Sequence, residues 1–177
     1  LPGVALQREY RRFYPAGEVA AHVVGFTNVD DIGQEGMELA YDDWLRGDPG
    51  AKRVVKDRLG RIIDDVESLR EPKPGEALTL SIDRRLQYLA YRELKTAVTE
   101  HGARAAALVM LDAQTGEVLA MVNQPAYNPN NRAEISGGRY RNRAVTDSFE
   151  PASTLKPFAV LAALESGAYG PDSIINT

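Results

Sequence analysis

The chain has 177 residues, 44% of them hydrophobic, and a net charge of −4. This supports a packed core of one to two domains, excludes a disordered chain and argues against nucleic acid as the main partner. The absence of cysteine rules out thiolate metal sites and cysteine nucleophiles, and no apolar run reaches the length of a membrane span or reads as a signal peptide.

In chain order, Arg11-Arg12-Phe13-Tyr14-Pro15-Ala16-Gly17-Glu18 leads into a short apolar stretch, Val19 to Phe26. Met37, Leu39, Ala40, Trp44 and Leu45 mark the face of a helix that Gly47 stops. The acidic residues at its start suit the positive end of the helix dipole, and the acidic set reads as a solvated face rather than a catalytic carboxylate pair. Arg53-Val54-Val55-Lys56 and Arg61-Ile62-Ile63 predict a half-exposed hairpin turning at Asp57 to Gly60. His22 and His101 are the only histidines, lie far apart and lack soft ligands nearby, so no metal role is expected.

Glu71-Pro72-Lys73-Pro74-Gly75 is the best boundary, giving regions 1–72 and 73–177. Leu78 to Ile82 alternates like a strand with one buried face. Asp83 then caps a helix from Arg84 to His101, closed by Gly102. Leu86, Leu89, Ala90, Leu94, Ala97 and Val98 form its apolar stripe, with Tyr88 and Tyr91 bordering the core. Ala105 to Leu111 and Glu117 to Val122 are strands with two apolar faces around a tight turn ending at Gly116. The tight turn makes the pair antiparallel, so the expected class is α+β, an antiparallel sheet covered by helices. Asn123 to Arg143 is a long irregular stretch of the kind that often carries function; Arg139, Arg141 and Arg143 read as solvated surface, with an anionic ligand as the alternative.

Near the C-terminal end stands Phe149-Glu150-Pro151-Ala152-Ser153-Thr154-Leu155-Lys156-Pro157-Phe158, followed by an apolar helix signal. Residues i and i+3 share a helix face, so Ser153 and Lys156 can touch. Pro157 lacks an N–H and is tolerated only in a first turn, which starts the helix close to Ser153 or Thr154. The positive end of the dipole disfavours a nearby ammonium and favours a developing oxyanion, and burial would act against the ammonium too. A neutral lysine beside a serine hydroxyl is a competent general base for a nucleophile. Ser-x-x-Lys alone recurs by chance; a capping serine with a solvated lysine is the competing reading.

The longer string resembles the active-site serine segment of the penicillin-binding proteins, in which Ser-x-x-Lys accompanies Ser-x-Asn and Lys-Thr-Gly. Tyr14-Pro15-Ala16-Gly17, His22, Gly25-Phe26-Thr27-Asn28, Gly33 and Gly36-Met37-Glu38 resemble the pedestal of class B members, and Phe26-Thr27-Asn28-Val29-Asp30 their division-type branch. Asn123, Tyr127-Asn128-Pro129 and Arg141-Asn142-Arg143-Ala144-Val145-Thr146-Asp147 resemble the opening of the transpeptidase domain. Ala152 departs from the family glycine, and is strained if a positive φ is needed there.

The resemblance implies a non-catalytic pedestal over 1–72 and the N-terminal part of a serine transpeptidase domain over 73–177. It implies Ser153 as acyl-ester nucleophile, Lys156 as general base, and the Ser153 N–H as half of an oxyanion hole. Implied partners are peptidoglycan stem peptides, β-lactam antibiotics and division or wall-synthesis membrane proteins, at the periplasmic face of the inner membrane through an anchor outside this chain. No Ser-x-Asn or Lys-Thr-Gly follows Lys156, so the chain reads as a fragment with little activity of its own and an exposed sheet edge. No cofactor, metal or nucleotide is expected, since no phosphate-cradling glycine loop is found. A serine β-lactamase or β-lactam sensor, and a non-catalytic interaction module, are the alternatives.

Overall fold

The computed structural model describes residues 11–135 and 138–175; Leu1-Pro2, Gly137 and Asn176-Thr177 lie outside the described residues. It divides into two compact units, one reaching to Thr146 and the other beginning at Asp147.

The first unit opens with a 3-10 turn, Gly17–Val19, and helix α1, Ala21–Val24. Strands β1 (Phe26–Thr27) and β2 (Gly33–Glu35) pair antiparallel. Gly25 joins α1 to β1 at φ +83°, and a Cβ there would lie 1.7 Å from the Glu35 carbonyl oxygen, so only glycine fits. The single helix expected up to Gly47 is two, α2 (Gly36–Ala40) and α3 (Asp42–Arg46). Tyr41 leaves helical geometry at φ −123° and ψ 30°, and Asp42 Oδ1 accepts the Gly33 N–H at 2.8 Å. The acidic set is not uniformly solvated. Glu38 is buried, at 5% exposure. Arg12 Nη2 donates to its Oε2 at 3.1 Å, and Arg12 Nε lies 3.0 Å from Oε1 without hydrogen-bond alignment. Burial of the carboxylate depends on that partner.

Strands β3 (Ala51–Lys56) and β4 (Ile62–Arg70) form the expected hairpin, longer than its apolar signal. Asp57 Oδ1 holds the turn by accepting the N–H groups of Leu59 and Arg61, both at 2.8 Å. Val55, Ile62, Ile63, Val66 and Leu69 are exposed along it. The proline-rich boundary is tied back to the end of α3: Asp48 and Lys73 exchange two backbone hydrogen bonds of 2.9 Å. No helix among the described residues is long and apolar enough to cross a membrane.

Leu78 to Ile82 does not form a strand. Ser81 Oγ donates to the Val118 carbonyl at 2.8 Å and the Asp83 N–H to the Leu119 carbonyl at 2.9 Å. These isolated contacts replace a ladder. Asp83 then caps helix α4, Arg84–Glu100, its carboxylate accepting from Arg85 and Leu86 N–H at 2.7 and 3.0 Å. Those bonds hold the carboxyl below its ordinary pKa.

Strands β5 (Ala106–Leu111) and β6 (Val118–Gln124) pair antiparallel, Leu108 opposite Val122. Asp112 Oδ1 accepts from Gln114 and Thr115 N–H in the turn, and Gly116 takes φ +78°. Ala90, Ala120 and Val122 form the buried centre, with Leu86, Tyr91, Leu94, Leu108 and Met110 packed on it. Helix α4 covers this face. The other face is only partly covered: Val109 and Leu111 are exposed.

The stripe of α4 is turned from the predicted one. Gln87 and Ala90 are its buried residues, flanked by Tyr91 and Leu94, while Leu89 is exposed. Gln87 is fully engaged. Its Nε2 donates to the carbonyls of Val19 and Met121 at 2.7 and 2.8 Å, and its Oε1 accepts the Met121 N–H at 2.8 Å. One amide thus ties α4 to β6 and to the opening turn. Nearby, the Tyr91 hydroxyl donates to Glu18, and Lys95 Nζ donates to the Tyr91 oxygen at 2.9 Å.

The stretch after β6 binds the first segment of the chain. Asn130 exchanges hydrogen bonds of 3.0 Å with both the N–H and the carbonyl of Tyr14. Tyr127 is fully buried, with its hydroxyl donating to the Ala21 carbonyl at 2.9 Å. Burial pushes that hydroxyl well above the ordinary tyrosine range, so it stays a neutral donor. Its ring meets His22 edge-on at 5.2 Å. His22 is buried, and its Nε2 donates to the Arg139 carbonyl at 2.8 Å. Burial lowers the imidazole below its ordinary value of 6.5, with the Arg143 charge adding to this and the Arg139 carbonyl opposing it. The folded state therefore resists a proton that the unfolded state accepts. Stability from this site is complete above about pH 6.5 and is lost as the pH falls below it. The urea midpoint is expected to drop between pH 7 and pH 5, above the range where carboxylates titrate, and a flat midpoint would contradict the assignment.

Candidate active site

The second unit carries the Ser-x-x-Lys segment. A 3-10 turn, Ala152–Leu155, passes directly into helix α6, Lys156–Glu165, with Pro157 in its first turn. The helical start lies where Pro157 required it. Ser153, however, sits in the 3-10 turn rather than in the α-helix. The Thr154 N–H donates to the Pro151 carbonyl at 3.1 Å, and the Lys156 N–H to the Ser153 carbonyl. With about three residues per 3-10 turn, positions i and i+3 eclipse, so this turn stacks Ser153 and Lys156 on one face. The first N–H groups of such a turn, those of Ala152 and Ser153, have no acceptor within it.

Ala152 has φ +48°. The strain foreseen for alanine in place of glycine is present. It amounts to about 1–2 kcal/mol for an L residue in this region. Ser153 and Lys156 are both exposed. The composition of α6 is that of a covered helix, apolar all round. Yet Phe158, Val160 and Leu161 are more than half exposed, at 67%, 58% and 52%.

In the first unit the segment before Asp147 is held by a frame that sequence reasoning matched by resemblance but gave no role. Asn123 is buried; its Nδ2 donates to Asn142 Oδ1 and its Oδ1 accepts the Ala144 N–H, both at 2.8 Å. The Asn142 carbonyl accepts the N–H groups of Val145 and Thr146 at 3.1 Å, opening the short helix α5, Arg143–Thr146. A polar residue closing an apolar strand was the available signal. His22 packs against Tyr127, whereas His101 is the C-cap of α4, so the two histidines serve separate structural places.

The penicillin-binding protein dimerisation domain family matches residues 1–80, and the penicillin binding protein transpeptidase domain family matches residues 106–177. The peptidoglycan D,D-transpeptidase FtsI of Escherichia coli K12 is 51% identical over 177 residues, all of this chain and 30% of its own length. The chain belongs to the class B penicillin-binding proteins, on their FtsI-type branch. A probable peptidoglycan D,D-transpeptidase, PenA of Neisseria meningitidis, is 46% identical over 179 aligned positions, 100% of this chain and 31% of that protein. The crystal structure of penicillin binding protein 3 from Mycobacterium tuberculosis superposes with a TM-score of 0.76 at 32% identity, over 92% of this chain and 33% of that one. Penicillin binding protein 2X from Streptococcus thermophilus gives a TM-score of 0.77 at 26% identity, over 92% of this chain and 26% of that one. The chain thus spans about 30% of the length of the curated relatives it matches.

Proposed function

We propose that this penicillin-binding protein cross-links peptidoglycan during septum formation, through an acyl-serine intermediate. Ser153 Oγ attacks the carbonyl between the last two D-alanines of a stem peptide, and Lys156 takes its proton. The C–N bond breaks, the terminal D-alanine leaves with a proton returned from the lysine, and an ester to Ser153 remains. The amine of a neighbouring stem peptide then attacks this ester, forming the cross-link and restoring the serine. The observation that supports the reading is the turn at the head of α6, in which the Lys156 N–H donates to the Ser153 carbonyl. Match to the transpeptidase domain family over the same residues supports it.

Further parts of the reading follow. The apolar surface of α6 is covered by the remainder of the domain, which desolvates Lys156 and supplies its other hydrogen-bond partners. Residues 1–72 act as the pedestal and residues from 73 onward open the catalytic domain. The Ser153 N–H is one donor to the oxyanion. A β-lactam acylates the same serine; related crystal structures of the mycobacterial penicillin binding protein 3 are complexes with aztreonam and ampicillin. The protein works at the periplasmic face of the inner membrane, beside division and wall-synthesis proteins, and the 177-residue chain by itself has little activity.

Release of free D-alanine from a pentapeptide ending in D-Ala-D-Ala tests the activity. A full-length protein carrying this chain is expected to release it, and its Ser153→Ala variant is not. Equal release from both would refute the assignment.

A further inference from the structure

The residue before the serine has a backbone that alanine does not favour. Ala152 lies at φ +48°. The Thr154 N–H to Pro151 carbonyl bond of 3.1 Å makes Pro151 to Thr154 a hydrogen-bonded turn with Ala152 and Ser153 at its centre. Positive φ at the first central position belongs to the primed turns, where glycine, asparagine and aspartate dominate. The second central residue is Ser153, whose carbonyl then accepts the Lys156 N–H. The dihedral at Ala152 therefore sets the direction in which Ser153 leaves the turn and enters the one shared with Lys156. Strained backbone persists when packing over-determines it. Ala152 and Ser153 are exposed, and the cover proposed for α6 concerns the helix beyond this turn, so the intrinsic preference of residue 152 decides how fully the turn is populated.

We propose that Ala152 is a positioning residue for the reaction. Its positive φ selects the turn that aims Ser153, and its methyl group holds the population of that turn below what glycine or asparagine would allow. The proposal rests on Ser153 being the nucleophile. A reactive conformer that is only partly populated lowers the observed rate by its fraction. The intrinsic preference against positive φ corresponds to about 5- to 30-fold in population.

The test is benzylpenicillin acylation of a full-length protein carrying this chain, with alanine, glycine, asparagine or valine at position 152. Non-covalent binding and the acylation step are resolved from the concentration dependence, and the adduct is mapped. The acylation rate constant is expected to rank Ala152→Gly first, then Ala152→Asn, the native alanine, and Ala152→Val last. The glycine-to-alanine step is up to about 5- to 30-fold, and the binding constant is unchanged. Asparagine is bulkier than alanine yet tolerates positive φ, so a packing role would place it below alanine and a backbone role above. Ranking by size, or four equal rates with the adduct still on Ser153, overturns the proposal and leaves the nucleophile standing. Absence of a Ser153 adduct from all four folded proteins overturns the nucleophile and the proposal together.

Discussion

Lys156→Met in a full-length protein carrying this chain is expected to leave the fold intact and slow acylation of Ser153 by about 10²- to 10⁴-fold, the usual contribution of a general base. Methionine keeps the length and the helix preference of lysine while removing the amine proposed as the proton acceptor. The loss is expected on the acylation step, not on non-covalent binding, because the proposed role of Lys156 is to take the proton that leaves Ser153. Stopped-flow acylation with a chromogenic β-lactam, beside a thermal melt, separates the two. A near-native rate would remove Lys156 from the mechanism.

The second large effect is structural. Gln87→Leu keeps the volume in the first turn of α4 but strands the Met121 N–H and two carbonyls that the amide satisfies. Each such buried group costs about 1–3 kcal/mol when its partner is removed, so losing all three is expected to destabilise the first unit by about 3 kcal/mol or more. Urea unfolding reads this as a lower midpoint at unchanged slope. A change below about 0.5 kcal/mol would mean that water replaces the amide.

The elements with local causes were legible. The β3–β4 and β5–β6 hairpins follow from Asp57 and Asp112, whose carboxylates build their own turns. Helix α4 follows from the Asp83 cap. What distant partners decide was not legible. Glu38 carries the pattern of a solvated acid, and only Arg12, 26 residues away, explains its burial. Gln87 reads as polar surface until the spacing Gln87, Ala90, Tyr91, Leu94 is weighed as one face, with the Met121 backbone as its partner. Leu78 to Ile82 alternates properly but meets β6 through isolated Ser81 and Asp83 contacts rather than a ladder, which alternation alone cannot supply. At the site, the i and i+3 spacing gave the shared face of Ser153 and Lys156. The 3-10 geometry of that turn, which eclipses them, lay beyond the spacing. The Ala152 dihedral followed from one departed glycine. How far Lys156 is buried depends on what packs over α6, which its own sequence does not contain.

The central claim is covalent chemistry at Ser153. Intact-mass spectrometry of a full-length protein carrying this chain, after benzylpenicillin and with peptide mapping, tests it most directly, with Ser153→Ala and the 177-residue chain alongside. One stable adduct of the drug's mass is expected, mapped to Ser153, absent from the variant and scarcely formed by the chain alone. A folded full-length protein that stays unmodified, or an adduct on another residue, would contradict the account.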